Sequence, residues 1–338
     1  MKTRRIKTIL LFLSTMPFIG IYAQSIYYVS PHASSGGDGG PATPFHIIHE
    51  AVEKARKDKN CTTIYLREGE YFLDTPLVLT SADGNDSKEL IIRNYPGEKA
   101  IISSGITLDL KWEKYKNGIM RAAVKGNPVM DMLIVNGDLR SMARYPDYDK
   151  TAVRFNGTSA LATVPERVKK WKNPEGGYLH AMHSHDWGDF HYRITGKNEK
   201  GELQLEGGWQ NNRPMGIHPE NRMVENIFEE LDAPGEWYYD KQEGWLYYYP
   251  LSDENINELV FETPQLKNLI EIAGTSSHPV KNITIEGIEL TQTIRTFMEH
   301  YEPLLRSDWT IYRGGAVIFR GTEKCTLRDC YIHHVGGN

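Results

Sequence analysis

Cysteine is scarce in this sequence, with three residues among 338, namely Cys61, Cys325 and Cys330. Three cysteines are too few for a scaffold held together by disulfides. Cys325 and Cys330 flank a short strand-like segment, which favours an apolar packing role for both thiols. The sequence also lacks C-x-x-C and H-E-x-x-H spacings, so we predict no metal site and no cofactor.

An excess of positive charge is missing as well. The formal net charge is -5, whereas nucleic acids and anionic membranes attract basic surfaces. We find no phosphate-binding loop, no nucleophile elbow with a Ser-His-Asp order, and no basic patch. We therefore expect no nucleic-acid partner. A neutral glycan suits this charge better than a polyanionic one, which would need a local basic groove.

No apolar run reaches the roughly 20 residues of a membrane span. The apolar stretch 8–22 follows a basic start and precedes Ala23, a pattern typical of a secretory signal peptide. A membrane anchor or a buried N-terminal helix is the alternative interpretation. We predict that residues 1–23 are removed, which leaves no integral membrane span and a secreted or periplasmic protein. Cleavage would remove four basic residues and lower the formal net charge from -5 to -9.

Short aliphatic strands repeat near the end of the sequence. Residues 283–290 can be laid over 325–332 with their apolar positions in step, and residues 269–274 over 316–321 with a glycine closing each. Each repeat is interpreted as strand, glycine turn, strand, bend and strand. An amphipathic helix over residues 45–55 precedes the strands and would cover an open end. A sandwich with coincidental spacing is the alternative.

Aromatic residues concentrate between Trp171 and Tyr249, where the repeat pattern is absent. Residues 235–240 and 244–249 predict an aromatic hairpin, whose paired rings would face each other. A helix is expected near residues 165–171. We predict an all-β, right-handed parallel β-helix with an inserted β-rich domain and one short N-terminal capping helix. The predicted division is 1–23 signal peptide, 24–107 cap and first rungs, 108–265 inserted domain, and 266–338 further rungs.

The rung pattern is still regular where the sequence stops. A β-helix without a C-terminal cap leaves the apolar interior of its last rung open. We expect either that the chain is the N-terminal part of a longer protein, which is favoured, or that a partner covers this end.

Six segments carry a resemblance to a known family: residues 27–31, 44–45, 65–71, 95–103, 231–240 and 246–250. In this order they resemble the secreted right-handed β-helix proteins of Gram-negative gut bacteria that include glycoside hydrolase family 141. The resemblance implies a β-helix with an inserted β-domain and activity as an α-L-fucosidase or xylanase on plant cell-wall glycans. It also implies catalytic carboxylates in rungs beyond residue 338.

The densest polar and aromatic cluster lies at residues 180–191, which contain four of the twelve histidines. Trp187 would be a platform for the apolar face of a pyranose, with His183, His185 or Asp186 bonding its hydroxyls. A metal is disfavoured because Asp186 should point away from the two histidines and no third ligand is evident. Structural contacts between the insert and the rungs are the alternative interpretation.

Four further residues are weaker candidates. Asn211 and Asn212 lie in a loop rich in amides, which suit hydroxyl recognition as well as turn formation. His334 leaves the last rung on its outward side and would line a groove. Asp329 lies at a bend, where an outward acid would reach a sugar. The catalytic residues themselves stay unknown, with Asp186 and Asp329 as the weak candidates, because hydrolysis needs two carboxyl groups across the scissile bond.

Three functional classes remain open. The first is a glycoside hydrolase acting on a polysaccharide or oligosaccharide. The second is a non-catalytic glycan-binding protein, which would need aromatics and amides but no pair of acids. The third is a polysaccharide lyase, which would need a basic residue beside a uronate and often an acidic Ca²⁺ site. The rungs show neither feature of a lyase clearly, and the fold alone does not separate the three.

Overall fold

A computed structural model describes residues 24–213, 215–299, 302–303 and 310–337. The predicted signal peptide, residues 1–23, lies outside these ranges. The described chain is mostly β, with the helices α1 (Ile48–Lys57) and α2 (Pro165–Val168) and the 3₁₀ turns Ala160–Thr163, Phe228–Glu230 and Ile256–Glu258. No helix in the described ranges is both long and apolar enough to cross a membrane.

The strands fall into three stretches of the chain. The first contains β1 (Gln24–Val29), β2 (Cys61–Leu66), β3 (Gly69–Phe72), β4 (Leu77–Leu79), β5 (Leu90–Asn94) and β6 (Ala100–Ser103). The second contains β7 (Gly105–Thr107), β8 (Glu113–Lys114), β9 (Met120–Ala123), β10 (Leu133–Val135), β11 (Asp138–Arg140), β12 (Arg144–Tyr145), β13 (Tyr178–His183), β14 (Asp189–Lys197), β15 (Leu203–Gly207), β16 (Ile217–Glu225), β17 (Trp237–Asp240), β18 (Trp245–Tyr248) and β19 (Phe261–Pro264). The third contains β20 (Ile270–Ala273), β21 (Val280–Lys281), β22 (Ile283–Glu286), β23 (Glu289–Thr291), β24 (Glu302–Pro303), β25 (Thr310–Ile311), β26 (Val317–Arg320), β27 (Thr322–Glu323), β28 (Thr326–Arg328) and β29 (Tyr331–His333).

Strands of the first and third stretches form three larger parallel sheets, beside a two-stranded parallel sheet of β21 and β27 and an antiparallel pair of β24 and β25. The strand orders of the three larger sheets are β1-β2-β5-β22-β28, β3-β6-β23-β29 and β4-β20-β26. The chain therefore visits the sheets repeatedly in one sequence, first with β2, β3 and β4, then with β5, β6 and β20, and then with β22, β23 and β26. We call these strands the parallel region.

The strand alignment predicted from the sequence is confirmed. Ile285 pairs with Leu327 and Leu290 with Ile332, while Ile270 pairs with Val317. Ile285 also pairs with Ile92 of β5, and both side chains are fully buried. Stacking like residues at equivalent positions gives the parallel region one continuous aliphatic core. That core also receives the buried face of α1, comprising Ile48, Ala51, Val52 and Ala55.

The bends of successive repeats share a left-handed backbone. Positive φ angles occur at Asn282, Gly287 and Gln292, and again 42 positions later at Lys324, Asp329 and His334. A Cβ on Gly287 would lie 2.2 Å from Oδ1 of Asn94, so this bend needs glycine for space as well as for conformation. Asp329 adopts the same conformation at the equivalent bend, which Asp tolerates better than most residues.

The second stretch pairs only within itself among the described strands, in three antiparallel sheets. We call residues 105–264 the antiparallel segment. It leaves the parallel region at β7 and returns at β19, and these two strands pair with each other, Gly105 opposite Pro264. The pairing places the exit and the return of the chain side by side.

The predicted aromatic hairpin is confirmed. β17 and β18 are antiparallel, with Trp237 opposite Tyr248 and Tyr238 opposite Tyr247. The centroids of the Tyr238 and Tyr247 rings are 6.1 Å apart. Trp237 and Tyr248 are fully buried in a core of their own, which gives the antiparallel segment a packed interior beside that of the parallel region.

Candidate functional site

The histidine-rich residues form a hairpin whose tip is exposed. β13 and β14 pair antiparallel from Tyr178 opposite Arg193 to Met182 opposite Asp189. The tip between them turns through Asp186 and Gly188, both with positive φ. We call His183, His185, Asp186 and Trp187 the hairpin-tip cluster.

Trp187 presents an aromatic surface at this tip. Its side chain is 44% exposed, and its ring stacks on His183 with centroids 5.6 Å apart and planes 9° apart. The His185 ring is 5.4 Å from the Trp187 ring and 6.0 Å from the His183 ring. If the two imidazoles lay on opposite faces of the indole, their centroids would be much farther apart than 6.0 Å. Both imidazoles therefore lie on the same side of the indole, and neither covers its other face. An indole face of this kind suits the apolar face of a sugar ring.

His183 lies beneath the indole. Its side chain is fully buried, and its Nδ1 accepts a 3.1 Å hydrogen bond from the backbone N–H of His185. The proton of a neutral ring must then be on Nε2, and this atom is buried without a partner in the described chain. His183 therefore supports Trp187 from below, whereas His185 is exposed beside it.

Asp186 is held by two partners at the surface. Its Oδ2 accepts a 2.8 Å hydrogen bond from Arg154, and its Oδ1 accepts one of 3.1 Å from the amide of Asn221. Asp186 and Arg154 are both exposed, so their ion pair adds little stability. It does compensate the charge of Asp186 and fixes the direction of its oxygens.

Asn211 joins its loop to the same tip. Its amide donates a 2.5 Å hydrogen bond to the carbonyl oxygen of Trp187, and its Oδ1 accepts one of 2.8 Å from the backbone of Arg213. Asn211 is buried, whereas Asn212 beside it is exposed. The structure thus joins Asn211 to the four residues of the hairpin-tip cluster as a support, while Asn212 lies on the adjacent surface.

A buried polar network underlies the base of the hairpin. His180 Nδ1 is 2.7 Å from His191 Nδ1, and His180 Nε2 is 3.1 Å from Glu225. Glu225 also binds Arg295, which forms a 3.0 Å ion pair with Asp131. Since Glu225 and Asp131 belong to the antiparallel segment, Arg295 fastens that segment to the chain that follows β23.

Burial and charge shift the pKa values in this network. Burial lowers the pKa of His180 and outweighs the opposing effect of Glu225, which keeps the imidazole neutral. Burial alone would raise the pKa of Glu225, but Arg295 and His180 hold it far below its usual range. Glu225 is therefore an ionised carboxylate that accepts a hydrogen bond from neutral His180.

Asp329 and His334 lie at the last strands of the parallel region. Asp329 is exposed at the bend before β29, and His334 follows that strand with its Nδ1 3.1 Å from that of His333. His333 in turn binds Glu289 at 2.8 Å, and Glu289 binds Lys99 at 2.7 Å. Burial, followed by the nearby His333, lowers the pKa of His334. Both predicted residues thus belong to the outer surface of the parallel sheets.

Arg295 and Glu225 were not predicted, because neither residue belongs to a motif or cluster that would indicate a functional role. The described residues contain no group of three or more His, Cys, Asp or Glu side chains placed to hold a metal ion. The three cysteines are free and half-buried, and Cys325 and Cys330 pack against the aliphatic core.

Comparisons with known proteins give a likeness of structure only. No protein-family model and no curated protein sequence matches the chain. A solved structure named "Glycoside hydrolase" superposes on 92% of this chain with a TM-score of 0.74 and 21% identity. A second, "The complex structure of XylC with xylose", covers 91% of the chain with a TM-score of 0.42 and 14% identity. This chain spans 62% of the first structure and 40% of the second. The first likeness shows that the chain has a glycoside hydrolase-like fold.

Proposed function

We propose that the chain is part of a secreted glycoside hydrolase that acts on plant cell-wall polysaccharide, in the manner of an α-L-fucosidase or xylanase. The observation that carries this proposal is the shared fold with a protein named a glycoside hydrolase, over 92% of this chain. Because fold alone does not fix function, the local chemistry must also suit a sugar.

The architecture that we propose is a right-handed parallel β-helix of the family 141 type, with the antiparallel segment as its inserted domain. Three observations support it. The chain visits three parallel sheets in a fixed order, equivalent strands stack in register, and the left-handed bends recur 42 positions apart. Repeats of this kind bury a continuous core by stacking on their neighbours.

The hairpin-tip cluster supports a sugar as the partner. Trp187 provides an exposed ring beside His185, and its neighbour in sequence, Asp186, forms an ion pair with Arg154 at the surface, which adds donors and acceptors to the tip. Such a combination matches a pyranose, which has apolar C–H faces and a rim of hydroxyls. We propose a polysaccharide or oligosaccharide partner, and neither nucleic acid nor an integral membrane span.

We propose that the catalytic carboxylates lie in the remainder of a longer protein. Glycoside hydrolysis needs two carboxyl groups about 5–10 Å apart. Asp186 is engaged by Arg154 and Asn221, and Asp329 lies at an exposed bend. The chain also spans only 62% of its structural neighbour, which leaves room for further repeats. A signal peptide at residues 1–23, with secretion or periplasmic location, is part of the proposal and is supported by the sequence pattern.

A non-catalytic glycan-binding protein is the second candidate, and Trp187 favours it because a stacking platform serves binding without chemistry. The full-length gene product should be incubated with a panel of plant cell-wall glycans and the released sugars identified. We expect release of saturated L-fucose or xylose. An unsaturated uronide would instead indicate a lyase, and binding without release would indicate the second candidate.

A further inference from the structure

A cavity of about 510 Å³ lies beside the Arg295 network, within the size range of small-molecule sites. Its walls come from residues 131–132, several residues between 139 and 148, residues 233–237, and Glu225, Leu251 and Arg295. Met142, Trp237 and Leu251 supply apolar surface there, while several acids and guanidinium groups supply polar surface. The hairpin-tip cluster does not contribute to these walls.

Glu236 lines this cavity and has an unused oxygen. The residue is 3% exposed, and its Oε2 accepts long hydrogen bonds of 3.4 and 3.3 Å from the backbone N–H groups of Asp232 and Ala233. Its Oε1 is buried and has no partner among the described residues. Nε of Arg140, another lining residue, is also buried without a partner. Buried polar atoms are nearly always hydrogen-bonded, so two unused groups around one cavity point to a ligand.

The carboxyl of Glu236 offers both a donor and an acceptor. Burial, with the nearby charge of Asp147 acting in the same direction, raises the pKa of Glu236 to about 8. The group is therefore protonated at neutral pH, and a protonated carboxyl donates through its O–H and accepts through its C=O. Two adjacent hydroxyls of a sugar ring match that pair of functions.

The cations of the cavity are already engaged. Arg295 binds Asp131 and Glu225, and Arg140 binds Glu254. Arg144 donates to the backbone carbonyls of Pro146, Phe155 and Gly157. No lining guanidinium in the described structure is left without an acceptor, and the carboxylates of Asp131, Asp147 and Glu225 would repel an anion. The cavity thus favours an uncharged ligand.

We propose that this cavity binds one neutral pyranose unit of a glycan, at a site distinct from the hairpin tip, with Glu236 as its central hydrogen-bonding group. The inference rests on the proposed function for its class of ligand. It goes beyond that function by assigning a second sugar site to the antiparallel segment.

Calorimetric titration of the full chain tests the proposal, with methyl β-D-xyloside and methyl α-L-fucoside as neutral probes and D-galacturonate as the charged one. We expect a neutral probe to bind at least tenfold more tightly than galacturonate. Glu236→Leu should weaken its binding at least tenfold, whereas Glu236→Gln, which keeps a donor and an acceptor, should stay within about threefold. Glu243→Leu, at an exposed position of the turn between β17 and β18, is the matched control and should leave binding in the cavity unchanged.

A second variant guards against loss of folding. Leu251→Trp fills the cavity without altering Glu236 and should abolish binding. Thermal unfolding of Glu236→Leu and Leu251→Trp checks that both variants remain folded. Binding by the wild type should weaken above pH 8, where Glu236 ionises, and binding by Glu236→Gln should not. Unchanged affinity in both Glu236→Leu and Leu251→Trp, or equal binding of galacturonate, overturns the proposal.

Hydrolysis is measured separately on the full-length gene product. Sugar release by that product, together with no binding of neutral probes by the chain, would overturn the cavity site and retain the hydrolase. Binding in the cavity without any sugar release would retain the site and overturn hydrolysis.

Discussion

At the scale of single residues, Arg295 forms ion pairs with two carboxylates of the antiparallel segment. It compensates the charges of the buried carboxylate of Glu225 and the half-buried carboxylate of Asp131. We predict that Arg295→Met lowers the free energy of unfolding by about 3–5 kcal/mol, the range for breaking a buried ion pair. Urea denaturation measures this value.

The matched control is Lys125→Met, because the ion pair of Lys125 with Asp109 is largely exposed. Exposed pairs contribute little to stability because solvent screens them, so this variant should unfold almost like the wild type. Equal losses in both variants would show that the Arg295 network does not hold the antiparallel segment in place.

His180 should make the protein sensitive to mild acid. Its pKa in the folded state is lowered by burial, so the unfolded state takes up a proton near pH 6.5 while the folded state does not. Relative to His180→Gln, the wild type should therefore keep a constant difference in the free energy of unfolding above about pH 6.5 and decline below it, by up to about 1.4 kcal/mol per pH unit. Denaturation of both proteins from pH 8 to pH 5 checks this, because the comparison removes the opposite effect of Glu236, whose pKa is raised by burial.

His334→Gln is the comparison for that experiment. The pKa of His334 is lowered as well, but this residue is only half-buried. Below about pH 6.5, the stability of the wild type should therefore decline less relative to His334→Gln than relative to His180→Gln. The lowered pKa of Glu225 acts in a separate window, since its contribution is complete above about pH 4.3 and is lost only in stronger acid. An equal pH dependence of stability in the wild type and in His180→Gln would contradict the assignment.

At this scale, the residues of the Arg295 network could not be predicted from the sequence. Trp187 was predicted as a platform because aromatic and histidine residues crowd around it. Arg295 and its carboxylate partners Glu225 and Asp131 are 70 and 164 positions apart in sequence, and nothing in their local sequence indicates burial. Glu236 similarly looked like an ordinary hairpin residue. Pairing across such distances depends on the tertiary fold, which local patterns do not encode.

At the scale of elements, the aliphatic core of the parallel strands should respond strongly to a cavity. Ile285 is fully buried and pairs with Ile92 on one side and Leu327 on the other. We predict that Ile285→Ala costs about 2–5 kcal/mol, because the removed methyl groups leave a void in rigid surroundings. Chemical denaturation measures the loss.

Thr284→Ala is its neighbour on the opposite face of β22 and is only partly buried. It should change the free energy of unfolding by less than about 0.5 kcal/mol. Similar effects of the two substitutions would mean that β22 does not alternate between an interior and an exterior face.

Strands were predicted better than the first helix. The strand register followed from apolar alternation, because a shift by one residue would reverse every side chain. The predicted helix began at Phe45, whereas α1 begins at Ile48. Phe45 instead forms a parallel bridge with Val29, so pairing with β1 holds it in an extended conformation. Residue periodicity alone does not show that competing interaction.

At the scale of the whole molecule, Ser104 connects three distant parts of the chain. Its hydroxyl donates a 2.5 Å hydrogen bond to the carbonyl of Gln292 and accepts one of 3.1 Å from the N–H of Leu266. Since Ser104 is buried, we predict that Ser104→Ala lowers the free energy of unfolding by about 1–3 kcal/mol, the cost of unpaired buried groups. Ser35→Ala, at an exposed loop position, should have no measurable effect in the same thermal or urea titration, and a neutral Ser104→Ala would contradict this role.

The side-by-side pairing of Gly105 with Pro264 also bears on how such a protein changes during evolution. A chain that departs and returns at one point can gain, lose or exchange the intervening segment without shifting the register of the repeats on either side. The closure cost of a longer excursion grows only slowly with its length, so selection can enlarge or replace the segment almost independently of its scaffold. Related proteins would then be expected to differ most between these two positions, with a conserved scaffold carrying segments of different ancestry and specificity.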